Sequence, residues 1–285
     1  MAQPTELDKL HPRQAKLGTM HSALPPTPLT PGLQHVLLED GRHAVIKHRP
    51  NAPPGFFDSE ANGLRTLAES GGLRVPDLWY ADQRTLVMED LGQGRQGTDF
   101  YPRAGTGLAR QHKHIGPGFG FDHDGWCGDS PQANTWHQDG HQFFAECRLL
   151  PQARQALDGG QLSRSSVQRI ETLCARLSQW IPTQPAVLLH GDLWSGNLHC
   201  TREGEPALID AGAVHYGWAE AELAMLTLFG APPEAFFSAY AESGALAADW
   251  RERAPLYNLY HLLNHLNLFG ASYSDAVHHA MEPFV

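Results

Sequence analysis

His190-Gly191-Asp192-Leu193-Trp194-Ser195-Gly196-Asn197 is the stretch on which the reading of this chain turns, and Asp210 closes a short apolar run, ALID, 18 residues after Asp192. An Asp followed five positions later by an Asn has the spacing of a phosphoryl-transfer catalytic loop. The chemistry accounts for the residue types. An Asp beside an acceptor hydroxyl can take its proton, and an Asn carbonyl oxygen is a hard ligand for Mg²⁺. A second carboxylate must hold the metal against nucleotide phosphates. Asp192 is therefore read as the base, with Asn197 and Asp210 as metal ligands.

Such a loop also needs a cation on the phosphates. Ala44-Val45-Ile46-Lys47 reads as a strand, and period-two alternation puts Val45 and Lys47 on one face and Ala44 and Ile46 on the other. Lys47 is expected in the cleft beside an apolar wall for adenine. Glu60, 13 residues later on an expected helix, is placed to pair with it. The strand Leu86 to Leu91 would be the hinge, with backbone groups of Glu89 and Leu91 facing the adenine edge.

The rest of the chain supplies a frame for these pieces. Leu33 to His48 reads as a hairpin closed by a type I′ turn at Asp40-Gly41. Ala61, Leu64, Leu67 and Ala68 fit a helix capped by Asp58 or Ser59. A boundary is expected near Leu91, before the flexible Gly92-Gln93-Gly94. Beyond it the pattern is mainly helical, as in Val167, Ile170, Cys174 and Leu177, and in Leu259, Leu262, Leu263 and Leu266. Two short strands, Ala186 to His190 and Ala207 to Asp210, interrupt the helices. Residues 1–32 carry six prolines and are a poor place for a core.

With 285 residues, 41% of them apolar and 18% charged, the chain is long enough to bury a core, and wholesale disorder is excluded. Its net charge of −10 argues against nucleic acid or an anionic membrane as partner and suits a cationic ligand. No apolar run spans a membrane and the N-terminus carries no signal segment, so a cytoplasmic setting is expected. Cys127, Cys147, Cys174 and Cys200 form no C-x-x-C pair and read as ordinary reduced thiols. His261 and His265 lack the neighbouring Glu of an H-E-x-x-H zinc site and read as residues of a packed or cleft-facing helix.

At these residues the chain resembles the fructosamine kinases, or ketosamine-3-kinases, of the protein-kinase-like and aminoglycoside-phosphotransferase-like superfamily. The resemblance runs from about Val45 to Tyr273 and includes SEANGL (59–64), VMEDL (87–91), FGFDHDGWCGDSPQANTW (119–136), FFAECRLLPQ (143–152), LLHGDLWSGN (188–197), YGWAEAELAMLTLFG (216–230) and LYHLLNHLNLFG (259–270). It implies an α+β, bilobal protein-kinase-like fold. A small antiparallel-sheet lobe with one helix would occupy residues 1–91, and a larger, mainly helical lobe residues 92–285. It also implies Mg²⁺ and ATP as cofactors and phosphorylation of the sugar 3-hydroxyl of a ketosamine, small or protein-bound, leading to deglycation. By the same resemblance Lys47 and Glu60 hold phosphates, and Met88, Glu89, Asp90 and Leu91 frame adenine. Trp194 is a candidate wall for the substrate.

Three departures stand out. Thr27 to Gly32 (TPLTPG) occupies the place of a Gly-containing nucleotide turn, and its prolines remove backbone donors. Asp210-Ala211-Gly212 replaces the family's Asp-Pro-Ala and leaves the turn less constrained. Gly140 stands where Trp is common, which points to an altered substrate or interdomain surface. The alternatives are another small-molecule hydroxyl kinase, acting on aminoglycosides or choline-like alcohols, and a pseudokinase that only binds.

Overall fold

Five antiparallel strands form the first layer: β1 (Met20–His21), β2 (Leu33–Leu38), β3 (His43–His48), β4 (Leu78–Ala81) and β5 (Thr85–Glu89), in the order β1-β2-β3-β5-β4. This computed structural model describes residues 20–21, 32–244 and 246–284. The proline-rich segment read as the nucleotide turn therefore lies outside the described residues, except for Gly32. Alternation in β3 gives the two expected faces. Ala44 and Ile46 are buried in a small cluster with Val36, Leu38 and Val87, whereas Val45 packs on the main core and Lys47 reaches Glu60.

The β2–β3 hairpin forms, but its turn differs from the expected one. Gly41 N–H donates to Leu38 O (3.0 Å) and Leu38 N–H to Arg42 O (2.8 Å), which closes a three-residue loop with Gly41 at φ 84°. A type I′ turn needs positive φ at both central residues, and among the described residues only Asp210, of the non-glycines, has it. Asp40 instead accepts from Arg42 N and Nε.

Helix α1 (Phe56–Glu69) starts before the expected caps, because Gly55 takes a left-handed conformation (φ 79°) and turns the chain into the helix. Asp58 thus lies in the first turn, where a carboxylate suits the helix dipole, and Ser59 Oγ donates to Phe56 O. Phe57, Ala61, Leu64 and Leu67 form its buried face. Each fully buried Phe or Leu contributes about 1.5–3 kcal/mol.

The second layer is mainly helical. Helix α2 (Phe100–Gln111) packs on a later helix, Glu234–Ser243, and a short helix α3 (Gly140–Phe143) runs on through six π-helical residues, Phe144–Leu149, into α4 (Leu150–Asp158). Short strands carry the loops between helices: β6 (Gly125–Cys127) with β7 (Ser130–Gln132), β8 (Val187–Leu189) with β11 (His215–Gly217), and β9 (Leu198–Cys200) with β10 (Pro206–Leu208). Between α4 and β8 lies α5 (Arg164–Cys174). After β11 come α6 (Ala219–Leu228), α7 (Glu234–Ser243), α8 (Trp250–Phe269) and α9 (Ser274–Met281). A buried pair ties α6 to α8: Arg253 donates two 2.8 Å bonds to Glu220, which also accepts from the Tyr257 hydroxyl. No helix among the described residues is long and apolar enough to cross a membrane.

One apolar core joins the two layers. Leu64, Leu67, Leu86 and Met88 belong to the same cluster as Leu188, Leu193, Leu208, Leu223 and Leu263. The contact that sets their spacing is made by Gly63, where a Cβ would stand 1.9 Å from Ala211 O. On its other side the turn at Asp210-Ala211-Gly212 is held by Trp126 N–H donating to Gly212 O at 2.9 Å. Neighbours therefore supply the constraint that the missing proline does not. Gly140 is buried, and a Cβ there would meet Phe119 and Trp218 at 2.6 and 2.7 Å. The position thus lies in the interior, packed against these two rings.

Substituting Gly63→Ala forces α1 off the Ala211 carbonyl. The expected loss is about 1–3 kcal/mol, read as a lower urea midpoint at unchanged m. A midpoint equal to the wild type would mean that this contact does not set the position of α1.

Candidate active site

The fully buried strand β8 delivers His190 into the interior, and hydrogen bonds shape the loop beyond it. His190 Nε2–H donates to Ile209 O (2.8 Å), and its Nδ1 accepts from Asp192 N–H (3.3 Å). Burial lowers the His190 pKa, so the ring is the neutral tautomer that this pattern needs. Gly191 has φ 86°, and a Cβ there would lie 2.0 Å from Ala213 O. Its N–H donates to Glu222 Oε1 (2.8 Å); Glu222 Oε2 meets His112 Nε2 at 2.9 Å, and His112 Nδ1 meets the Tyr240 hydroxyl at 2.7 Å. This buried chain from α7 through α2 and α6 fixes the start of the loop.

The loop closes on itself. Asn197 Nδ2 donates to Asp192 O (2.8 Å), and Asn197 N–H to Trp194 O. Among the described residues no donor reaches Asn197 Oδ1, which leaves it as an acceptor. Trp194 folds over Gly196, where a Cβ would come within 2.4 Å of the indole, and remains 39% exposed. The Asp192 carboxylate is 21% exposed. Burial pushes its pKa up to about 7, and nearby Asp210 adds to the rise, against a hydrogen bond from Cys127.

Lys47 is the meeting point of the two layers. Its Nζ donates to Glu60 Oε1 at 2.5 Å and also to Asp210 Oδ1. Burial opposes the lysine charge, but the two carboxylates raise its pKa above the usual value. Glu60 is raised by burial despite Lys47, while Lys47 holds Asp210 low against burial. Asp210 itself sits at φ 61°, a conformation that an Asp tolerates better than most side chains. Its carboxylate is half exposed, and with Asn197 Oδ1 it makes a hard-oxygen donor set that fits Mg²⁺.

At the hinge, Met88 is buried, and Glu89 N–H donates to Asp77 O, so only its carbonyl remains for an adenine edge. Among the described residues Leu91 N–H has no partner, while Leu91 O accepts from Arg202 N–H. The Asp90 side chain is taken by His35 (2.8 Å) and Gly92 N–H, and that of Glu89 by Arg74 (2.5 Å). The groups left open along this strand end are thus backbone ones and the Met88 side chain.

Three groups beside Asp192 were not assigned to the site by sequence, Cys127 being read as an ordinary thiol and His261 as a residue of a packed or cleft-facing helix. His261 Nδ1 lies 3.9 Å from Asp192 Oδ1, Cys127 Sγ lies 4.0 Å from the same nitrogen, and Glu222 anchors Gly191. A signal for Glu222 existed, since a Glu inside the apolar run AELAMLTLF is a buried carboxylate in want of a partner. Nothing local pointed to the Cys127–His261 pair.

Residues 32–285 match the fructosamine kinase family model. A "probable ketoamine kinase" of Enterococcus faecium is 36% identical over 252 residues, which is 85% of this chain and 88% of the relative. The chloroplastic protein-ribulosamine 3-kinase of Arabidopsis thaliana is 36% identical over 250 residues, covering 83% and 74%. Among solved structures, a "putative fructosamine-3-kinase" from Thermobifida fusca superposes with TM-score 0.84 at 33% identity, covering 95% and 96% of the two chains. A streptomycin–ATP complex of APH(2'')-IIa, at TM-score 0.63 and 14% identity, shares the fold.

The raised Asp192 pKa has a consequence for stability. An unfolded Asp titrates near 4, so between about pH 4 and 7 the folded chain keeps a proton that the unfolded chain gives up. Stability from this group is present below pH 4 and falls as pH rises through 7. The Asp192→Asn variant lacks this loss. Melting curves should show it a few degrees more stable than wild type at pH 8, with the gap shrinking toward pH 4; a gap independent of pH would contradict the assignment.

Proposed function

The chain belongs to the fructosamine kinase family, and from that premise we propose how its own residues carry the reaction. It is an ATP-dependent phosphotransferase that phosphorylates a hydroxyl of ketosamines. The sugar 3-hydroxyl is the acceptor in our reading, and deglycation follows from the instability of the phosphorylated adduct. Asp192 takes the proton of the attacking hydroxyl. A carboxylate titrating near 7 is a stronger base than an ordinary Asp and is still about half ionised at neutral pH.

Lys47, oriented by Glu60, presents its ammonium to the phosphates of ATP. Asp210 and Asn197 would hold Mg²⁺, which when bound neutralises charge on the transferred group. Met88 and the backbone from Glu89 to Leu91 face the adenine, and we place the junction of the lobes at Leu91. The exposed face of Trp194 offers a wall for the sugar or for its protonated amine.

The observation that carries this reading is the convergence of Lys47, Glu60 and Asp210, from β3, α1 and the segment after β10, beside the Asp192 loop. A pseudokinase would have no need of a partly buried lysine held by two carboxylates.

ADP release with Mg-ATP and ribulosyl-, erythrulosyl- or fructosyl-amines tests the proposal. Turnover should depend on the ketoamine, and Asp192→Asn should lower kcat by roughly 10²–10⁴-fold with little change in ATP affinity. ATP binding without phosphorylation of any ketoamine would remove the substrate assignment. In the wild type, kcat/KM should fall on the acid side of about pH 7 as Asp192 is protonated. A profile flat from pH 8 to pH 5 would exclude Asp192 as the base.

A further inference from the structure

Behind Asp192 lies a group of side chains that the phosphoryl-transfer chemistry does not use. Cys127 ends β6, and His261 stands in the middle of α8. Cys127 Sγ, His261 Nδ1 and an Asp192 carboxylate oxygen all lie within 4.8 Å of one another. Two of the separations, 4.0 Å from sulfur to nitrogen and 3.9 Å from nitrogen to oxygen, exceed the roughly 3.3–3.6 Å between ligands on one tetrahedral zinc ion by about half an ångström, a closure within reach of side-chain adjustment. We propose that Cys127, His261 and Asp192 form a three-ligand site for Zn²⁺ or an ion of similar softness, and that occupation of this site withdraws Asp192 from proton acceptance. The second half rests on the reading of Asp192 as the base.

The donor set selects the metal. A thiolate and an imidazole favour Zn²⁺ over Mg²⁺, whose hard-oxygen ligands, Asp210 and Asn197, are a separate pair. The surroundings are those of a metal site. Asn264, one turn beyond His261 on α8, donates from Nδ2 to Cys127 Sγ at 3.3 Å and to Cys127 O at 3.2 Å, which favours the thiolate and fixes its direction. Burial holds His261 neutral, so a ring lone pair is available. The Cys127 thiol is kept protonated by burial and by Asp192. On binding, the S–H bond breaks, the proton leaves to solvent and the sulfur lone pair forms the Zn–S bond, with no change of oxidation state. Cys127 and His261 are buried while Asp192 opens to the cleft, so the fourth position falls to water on the cleft side.

The site can be read without turnover. Cobalt(II), a spectroscopic stand-in for zinc, is titrated into the untagged full chain, into Cys127→Ser and into His261→Gln, with folding of each checked by its melting curve. The wild type should take up one equivalent with a thiolate-to-cobalt charge-transfer band and the visible bands of a tetrahedral site; both variants should lose them. In competition with a chelator, Zn²⁺ should bind Cys127→Ser more than about tenfold more weakly. With Mg-ATP saturating, Zn²⁺ should inhibit the wild type relative to its own rate without zinc and inhibit Cys127→Ser far less relative to that variant's own rate without zinc. No charge-transfer band in the wild type, a band that survives Cys127→Ser, or bound Zn²⁺ that leaves turnover unchanged would each overturn the proposal. The spectrum would still form in a chain inactive on ketoamines, so failure of the substrate assignment and failure of the site are told apart.

Discussion

The approach of Gly63 to the Ala211 carbonyl is the constraint on which the active site depends. A side chain one methyl larger cannot stand there, because the distance to that oxygen would be 1.9 Å. Because the gap is filled by backbone, α1 lies directly on the turn that carries Asp210. Glu60, one turn earlier on the same helix, then comes within reach of the lysine that Asp210 also holds. Two carboxylates on one ammonium, Glu60 buried and Asp210 half exposed, are mutually repulsive without it. The charge of Lys47 is therefore what lets Glu60 and Asp210 share the site.

The catalytic loop answers to a different set of supports, all on its buried side. His190 reaches down to Ile209, Gly191 is held by Glu222, and Asn197 ties back to Asp192. These bonds leave the Asp192 carboxylate partly exposed and the Trp194 ring at the surface. Asp192 is thereby half in the interior, where its proton affinity rises, and half available to a substrate. In the role proposed for Asp192, base strength comes from packing and from the neighbouring Asp210.

What could be read from sequence was whatever lies within one local segment. The Asp192–Asn197 spacing, the alternation around Lys47 and the helix bearing Glu60 are each visible within a few residues, and the structure brings them together. The turn type and the start of α1 were misjudged because each depends on a glycine φ, at Gly41 and Gly55, that residue preference does not determine. The surroundings of Asp192 were illegible for a different reason. Cys127 and His261 are 134 positions apart and meet only when β6 is laid against α8, a pairing for which neither segment carries a marker.

The core shared by α1, β5 and the C-terminal helices has a thermodynamic consequence. Leu64, Leu86 and Met88 are buried by the same cluster that buries Leu188 and Leu263, so the sheet layer has little apolar burial of its own beyond the small patch around Ile46. Loss of either layer would therefore expose apolar surface of the other. Whatever binds in the cleft between them therefore stabilises the whole chain by mass action. Heat resistance becomes a reporter of occupancy at that site.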